Sequence, residues 1–266
     1  MIVDRGPDLE RRFGGLRRLY GDAGYARIRA ARVAVVGLGG VGSWAVEALA
    51  RSGVAELTLI DLDHIAESNI NRQVQALGAT LGQAKAQALA ARVADIHPDC
   101  EVHVVEAFAA ADNWPALLPH SVDGLIDACD QVRAKQALAG WVLAQPAAAR
   151  VAFVCVGAAG GKQLAQGVEI DDLAAASHDP LLASLRQRLR QHEGAARKGR
   201  IGVRAVFSRE SVRLPQGQAA LDGEGAGQGA SDGSLNCHGY GSSVTVTASF
   251  GFAAAGEAIQ QLLQRP

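Results

Sequence analysis

Residues 32–42 of this chain read RVAVVGLGGVG, an apolar run that ends in the glycines Gly37, Gly39, Gly40 and Gly42. The run predicts a buried strand, and the GxGxxG spacing directly after it predicts a tight turn into a helix. Gly37 allows the turn, Gly39 lets the backbone approach a phosphate, and Gly42 lets helix and strand pack closely. Because the free N–H groups at the start of that helix face an anion, this segment predicts a nucleotide-binding unit.

The same alternation of strand and helix patterns continues through the first 161 residues. Amphipathic segments that predict helices lie between short apolar runs that predict strands at 32–37, 56–61, 102–107, 122–127 and 151–156. Near-continuous apolar strands separated by helices are typical of a parallel sheet covered on both faces. We therefore expect an α/β, Rossmann-like fold with a mainly parallel sheet and helices on both sides.

The pattern changes after residue 161. Asp179 and Pro180 predict the start of a strongly basic helix, since Asp is a good N-cap and Pro suits the first helical position. A strand at 201–208 returns the chain to the sheet, and the apolar tail resumes at 244 after a glycine-rich segment. We divide the chain into an N-terminal helical segment (1–31), a nucleotide-binding core (32–161) and a C-terminal part (162–266). The C-terminal part completes the same domain, faces the substrate and contains a mobile loop at 216–234.

The composition excludes several classes of protein. Of the 266 residues, 48% are hydrophobic and the net charge is −1, which excludes a wholly disordered, collagen-like or mucin-like chain. The four cysteines form no CxxC pair, so we expect no zinc site of the Cys₄ type. No signal peptide is recognisable, which favours the cytoplasm. The uncharged stretch 239–256 is too rich in Gly, Ser and Thr to favour an integral membrane span, although peripheral or single-span association through 239–263 is an alternative.

Polar residues follow the second predicted strand at the edge where the glycine loop lies. Asp61 falls about 20 residues after the glycines, where an acid binds ribose hydroxyls. The motif alone would indicate NAD, but Arg72 and Lys85 lie beyond the same strand, and a nicotinamide needs an apolar slot rather than cations. A triphosphate needs such cations. Only four of the 26 basic residues are lysines, which makes a lysine at this position more notable. Each cation taken singly could also be a solvated surface charge.

Asp130 follows the fourth predicted strand, in the sequence DACDQ. An acid at this edge can hold Mg²⁺ that bridges phosphates, through water. It could also cap the helix predicted to start near residue 132.

Five segments, taken together, are similar to one enzyme superfamily. The segments GLGGVGSWAVEALARSGV, LIDLD, SNINRQ, GQAK and DACD occur in the order found in the ubiquitin-activating-like adenylating enzymes, over about residues 12–161. A narrower resemblance covers essentially the whole chain. RFGGLRRLYG at 12–21, GAAGG at 157–161, HDPLLASLRQRLR at 178–190 and NCHGYGS at 236–242 resemble the tRNA threonylcarbamoyladenosine dehydratase branch.

The resemblance implies a reaction. ATP would activate the threonyl carboxylate of the modified adenosine in tRNA, and the neighbouring carbamoyl group would attack it and close a ring with net loss of water. Superfamily analogy implies adenylation, although phosphorylation would serve the same chemistry. The implied cofactors are ATP and Mg²⁺, and the implied nucleotide-binding residues beyond the glycines are Asp61, Asp63, Asn69, Arg72, Gln73, Lys85 and Asp130, of which Arg72, Lys85 and Asp130 are also catalytic.

Other residues receive roles with an alternative each. In the superfamily an N-terminal arginine reaches across a homodimer to the γ-phosphate, and either Arg12 or Arg18 could serve here. Cys237 is a nucleophile or a packed residue. The basic span consists of Arg186, Arg188, Arg190, Arg197, Lys198 and Arg200. These residues either contact the tRNA backbone or form a solvated helix face.

Three functional classes stay open at the level of sequence. They are an ATP-dependent tRNA-modifying enzyme, an activator of a ubiquitin-like sulfur-carrier protein, and an NAD-dependent oxidoreductase. The cations and Asp130 argue against the third class, while the missing zinc pairs and the basic span argue against the second. The family resemblance also implies a possible sulfur-transfer or cysteine-desulfurase partner.

Overall fold

In the computed structural model, which describes residues 7–214 and 240–265, seven strands form one sheet in the order β3-β2-β1-β4-β5-β7-β6. All neighbouring strands are parallel except β6, which runs antiparallel to β7 at the edge. The strands are β1 (Arg32–Val36), β2 (Glu56–Ile60), β3 (Glu101–Val105), β4 (Gly124–Asp127), β5 (Ala152–Val156), β6 (Val168–Asp172) and β7 (Arg204–Ser208). The expected α/β fold with a mainly parallel sheet is confirmed.

Helices cover both faces of this sheet. The described helices are α1 (Leu9–Ala30), α2 (Gly42–Arg51), α3 (Lys85–Ile96), α4 (Val132–Ala144), α5 (Pro180–His192) and α6 (Val244–Gln264). Buried side chains of α1, α2, α3 and α6 form one apolar core with the sheet, and those of α4 and α5 form a second core on the other face. The chain leaves β1 in one direction toward β2 and β3 and returns on its other side as β4. Such a reversal opens a crevice at the carboxyl ends of the strands.

Several expectations at the level of single elements need correction. The helix of the N-terminal segment begins at Leu9 and has a kink at Gly21, whose φ is 71°. The basic helix ends at His192, before Arg197, Lys198 and Arg200. The strand β6 is not predicted from the sequence. The expected loop at 216–234 and Cys237 lie outside the described residues.

The apolar tail forms α6, which packs against α2 and β5. Phe250, Ala254 and Ala258 on this helix are fully buried in the first core. Among the described residues, no helix is both long enough and apolar enough to cross a membrane.

A buried ion pair joins β4, α4 and β5. The Nζ of Lys135 lies 3.1 Å from Oδ1 of Asp127, and both side chains are completely buried. Lys135 also donates to the carbonyl oxygen of Val156 at 2.7 Å. The thiols of Cys129 and Cys155 lie 2.9 and 3.4 Å from the two Asp127 oxygens. Although burial acts to lower the pKa of Lys135, the Asp127 carboxylate raises it above its ordinary value.

The substitution Lys135→Met would leave Asp127 buried without a counter-charge. We expect the free energy of unfolding to fall by about 3–5 kcal/mol, because removing one partner of a buried pair exposes the full desolvation cost of the other. Urea denaturation at neutral pH measures this change. Lys198→Met, on an exposed loop, is the matched control and should leave stability unchanged. A loss below about 1 kcal/mol for Lys135→Met, as for a surface pair, would contradict the assignment.

Candidate nucleotide site

Two of the motif glycines are required by the backbone itself. Gly37 has a φ of 84°, and a Cβ there would lie 2.8 Å from backbone atoms of Cys129. A Cβ on Gly42 would lie 1.8 Å from the carbonyl oxygen of Gly37. By contrast, a Cβ on Gly39 would meet nothing within 4 Å. The turn therefore packs tightly on its inner side and leaves open space at Gly39, where a phosphate could approach the backbone.

A pocket opens beside this loop, at the edge of the sheet where the parallel strands have their carboxyl ends. It brings together most of the residues that the sequence indicates as nucleotide-binding: Gly37, Gly39, Gly40, Asp61, Asp63, Arg72, Gln73, Lys85 and Asp130. The pocket is also lined by the apolar residues Phe108, Ala109 and Leu181 and by Ser242 and Thr247. The sequence does not indicate these five as site residues. The sequence motif GAAGG at 157–161 could have indicated this further part of the pocket, because four of its five residues line it.

Asp61 ties the end of β2 to the glycine loop. Its Oδ2 accepts a hydrogen bond from the N–H of Leu38 at 2.6 Å, and its Oδ1 accepts one from the N–H of Asp63 at 2.8 Å. Burial raises the pKa of Asp61 above its ordinary value, and the nearby Lys85 acts in the opposite direction. The carboxylate is therefore held in one orientation at the pocket rim, and its remaining lone pairs can accept from hydroxyl groups.

Lys85 is not a solvated surface charge. It is the first residue of α3, its side chain is 8% exposed, and its Nζ lies 2.7 Å from Oδ2 of Asp63. Asp63 itself is half-exposed, so a ligand can reach the pair from the pocket. The ammonium group is thereby fixed at the pocket wall beside Asp61 and Asp63.

Arg72 borders the glycine loop from the other side. Its Cγ and Cδ lie 3.3 Å from where a Cβ of Gly40 would be, and its guanidinium donates to the carbonyl oxygen of Ser68 at 2.6 Å. A further hydrogen bond goes to Oδ1 of Asn71 at 2.9 Å. Burial lowers the pKa of Arg72, as expected for a guanidinium that is partly withdrawn from water. Arg72 and Lys85 thus place two cations on the lining of one pocket.

Asn69 supports the site rather than lining the pocket. Its Oδ1 accepts from the N–H of Ala66 at 3.1 Å, and its carbonyl oxygen accepts from the N–H groups of Arg72 and Gln73. The side chain therefore fixes the turn that presents Arg72.

Asp130 lies in the loop between β4 and α4 and lines the same pocket as Arg72 and Lys85. The N-cap position of α4 is Gln131, one residue after Asp130, and the Gln131 side chain makes no capping bond. A carboxylate on a pocket that admits phosphates fits Mg²⁺, a hard cation that binds through one or two carboxylates and the substrate phosphates.

The two N-terminal arginines are not brought to the pocket of their own chain. Arg12 donates to the carbonyl oxygens of Asp95 and Ile96 at 2.9 and 2.6 Å, at the C-terminus of α3 and hence near the amino edge of the sheet. Arg18 is exposed on α1.

The basic residues of the C-terminal part divide into two groups. Arg186, Arg188 and Arg190 are half-buried and donate to neighbouring oxygens, as in the 2.7 Å bond from Arg186 to the carbonyl of Ala176. The exposed group is Arg197, Lys198 and Arg200, in the loop before β7. Since α5 starts at the pocket and has 13 residues, this loop lies about 20 Å away along the helix, at the opposite edge.

Comparisons with known proteins agree with this geometry. The ThiF family matches residues 14–266. The tRNA threonylcarbamoyladenosine dehydratase of Haemophilus influenzae is 38% identical over 267 residues, which is 99% of this chain and 98% of that protein. Crystal structures of the Escherichia coli tRNA N6-threonylcarbamoyladenosine dehydratase with ATP and with AMP each have a TM-score of 0.82 at 38% identity, over 95% of this chain and 94% of theirs.

A more distant relative matches less than half of this chain. The molybdopterin-synthase adenylyltransferase of Salmonella typhimurium is 37% identical over 116 residues, which is 43% of this chain and 46% of that protein.

The sheet order, the glycine loop and the cation-lined pocket together define a nucleotide-binding α/β protein of the Rossmann type. With the family match over most of its length, the chain belongs to the ThiF family, in the branch that contains the tRNA threonylcarbamoyladenosine dehydratases.

Proposed function

We propose that this protein catalyses the ATP-dependent dehydration of threonylcarbamoyladenosine in tRNA. The observation that carries the proposal is that Arg72 and Lys85 line one pocket together with the glycine loop. The chain that holds this pocket aligns over nearly its full length with a dehydratase of this name. A carboxylate is a poor electrophile until one of its oxygens becomes a good leaving group, and binding that oxygen to phosphorus makes it one. Joining two anions in this way requires fixed cations, which the pocket supplies.

In the proposed reaction, a threonyl carboxylate oxygen attacks a phosphorus atom of ATP and forms a mixed anhydride. The neighbouring carbamoyl group then attacks the carbonyl carbon, and the oxygen leaves with the phosphorus, so the nucleoside loses one water in all. Attack at the α-phosphorus releases pyrophosphate and then AMP. The AMP complex of the E. coli relative favours this adenylation route.

Each pocket residue has a part in this reaction. Asp61 and Asp63 would accept from the ribose hydroxyls, while Arg72 and Gln73 would contact the phosphates. Lys85 would neutralise the charge that develops on the phosphate as the anhydride forms. Asp130 would hold Mg²⁺, and that ion, when bound, neutralises phosphate charge.

Further parts of the proposal rest on the family. A homodimer would let Arg12 or Arg18 act in the pocket of the partner copy, which suits their distance from the pocket of their own chain. Cys237 stays a candidate nucleophile on sequence alone, although the ring closure as written needs no enzyme thiol. A cytoplasmic location and a sulfur-transfer or cysteine-desulfurase partner stay predictions.

Activation of a ubiquitin-like sulfur-carrier protein is the second candidate function. The partial identity to the molybdopterin-synthase adenylyltransferase favours it, because adenylation of a carboxylate is common to both reactions. That identity covers less than half of the chain, whereas the dehydratase relatives match the C-terminal part as well. Hydride transfer with NAD, the third class, is disfavoured by the cations of the pocket.

Purified protein with ATP, Mg²⁺ and tRNA that carries the threonylcarbamoyl modification should convert the nucleoside to a product lighter by one water. Mass spectrometry of the digested tRNA measures the change. Lys85→Ala should abolish turnover while circular dichroism shows an unchanged fold, because the cation beside the phosphates is lost. An unchanged nucleoside mass with the wild-type protein would contradict the proposed function, and full turnover by Lys85→Ala would remove Lys85 from the reaction.

We also propose that Arg197, Lys198 and Arg200 contact the tRNA backbone, because they are exposed and adjacent in one loop. Their place at the amino edge implies contact with a part of the tRNA remote from the modified nucleotide. Arg186, Arg188 and Arg190 were predicted to do the same, but their bonds within the chain favour a role in holding α5.

The substitution Arg197→Ala should lower the slope of log binding constant against log salt concentration by about 0.7–0.9, the value for one phosphate contact. Titration of labelled tRNA at several salt concentrations measures the slope. Arg11→Ala, an exposed arginine on α1, is the matched control and should leave the slope unchanged. Equal slopes for Arg197→Ala and wild type would remove this residue from the interface.

A further inference from the structure

Two histidines and a glutamate converge at the amino end of the sheet, away from the nucleotide pocket. Glu56 begins β2, His103 lies in β3, and His120 lies in the segment that precedes β4. One ligand atom from each of the three lies within 4.8 Å of the other two. Within the described part of the chain, no other group of histidine, cysteine and acidic side chains converges in this way.

The strand register explains why these side chains meet. In the parallel pairing of β2 and β3, Glu56 is opposite Glu101, and Thr58 is opposite His103. Side chains two residues apart on a strand point to the same face, so Glu101 and His103 share one face of β3. His120 approaches over that face, and its ring forms an edge contact with the ring of His103 at a centroid distance of 5.2 Å.

The distances between these atoms resemble those between metal ligands. The Nε2 of His103 lies 3.5 Å from Oε1 of Glu56 and 3.3 Å from Oε1 of Glu101. Zn²⁺ with ligands at about 2.0–2.1 Å in a tetrahedron separates its ligand atoms by about 3.3 Å. The Nε2 of His120 is in direct hydrogen-bonding contact with the same Glu56 oxygen. A metal ion would replace that hydrogen bond.

The Nε2 of His103 also lacks a satisfactory partner. This atom is buried and makes no hydrogen bond, although the two carboxylate oxygens are close. A buried polar atom without a partner costs free energy, which a metal ion at the centre of the cluster would recover. Arg32 also lies near Glu56, but its guanidinium is paired with Asp123 at 3.2 Å.

We propose that Glu56, His103 and His120 form a binding site for a divalent transition metal ion of the Zn²⁺ type. Imidazole nitrogen with carboxylate oxygen is a donor set that suits Zn²⁺, and a fourth position would be open to water. The ion would join β2, β3 and the segment before β4 at the edge opposite the ATP pocket. The expectation of no zinc rested on the missing CxxC pairs and therefore concerned a different kind of site.

The test uses the full chain freed of metal by dialysis against a chelator. Isothermal titration with zinc chloride should show one tight equivalent per chain, and His103→Gln and His120→Gln should each weaken it at least about tenfold, since each removes a ligand. His192→Gln, an exposed histidine on α5, is the matched control and should bind as the wild type does.

Cobalt provides a second readout that does not depend on stability. With equal amounts of folded protein, checked by circular dichroism, Co²⁺ should give the visible absorption of a four-coordinate site in the wild type and in His192→Gln only. Absence of stoichiometric binding in the wild type would overturn the proposal. Equally tight binding in the double variant His103→Gln, His120→Gln would overturn it as well.

Discussion

The buried contact between Asp127 and Lys135 is the interaction on which the nucleotide site depends. It joins the carboxyl end of β4 to α4 and, through the carbonyl of Val156, to β5. The turn that begins at Asp127 carries Cys129, whose backbone packs against Gly37 of the glycine loop, and then Asp130. A shift of this pair would therefore move the glycine loop and Asp130, both of which line the pocket. Because both charges are fully buried, neither can be removed without leaving the other uncompensated.

The fold was predictable from the sequence where the pattern is local. The buried parallel strands are continuous apolar runs, so their positions were predicted to within a few residues. The strand β6 was missed because its sequence VEIDD lies at a half-buried, antiparallel edge, where polar residues replace the apolar run. The basic helix was predicted too long because its arginines continue past His192. Positive φ values at Gly194 and Gly199 lie in the loop that follows the helix end, and spacing alone did not reveal them.

The site was predictable to the extent that parallel strands bring their carboxyl ends to one edge. That rule alone indicates that Lys85, Arg72 and Asp130, far apart in sequence, line one pocket with the glycine loop. The buried Lys135 could not be found in this way, because lysine is almost always exposed and nothing in its neighbours marks it. The cluster around His103 was equally hidden, since its members meet only through the register of β2 and β3 and the path of the chain before β4.

The central claim is that the threonyl carboxylate is activated through phosphorus in this pocket. The direct test is an isotope transfer, in which tRNA carries ¹⁸O in both oxygens of that carboxylate and is converted with unlabelled ATP. We predict that one labelled oxygen for each nucleoside converted is found in the released AMP, or in phosphate if activation is by phosphorylation. Product nucleoside formed with no label in AMP or phosphate would show that the oxygen leaves as water, and would contradict the account.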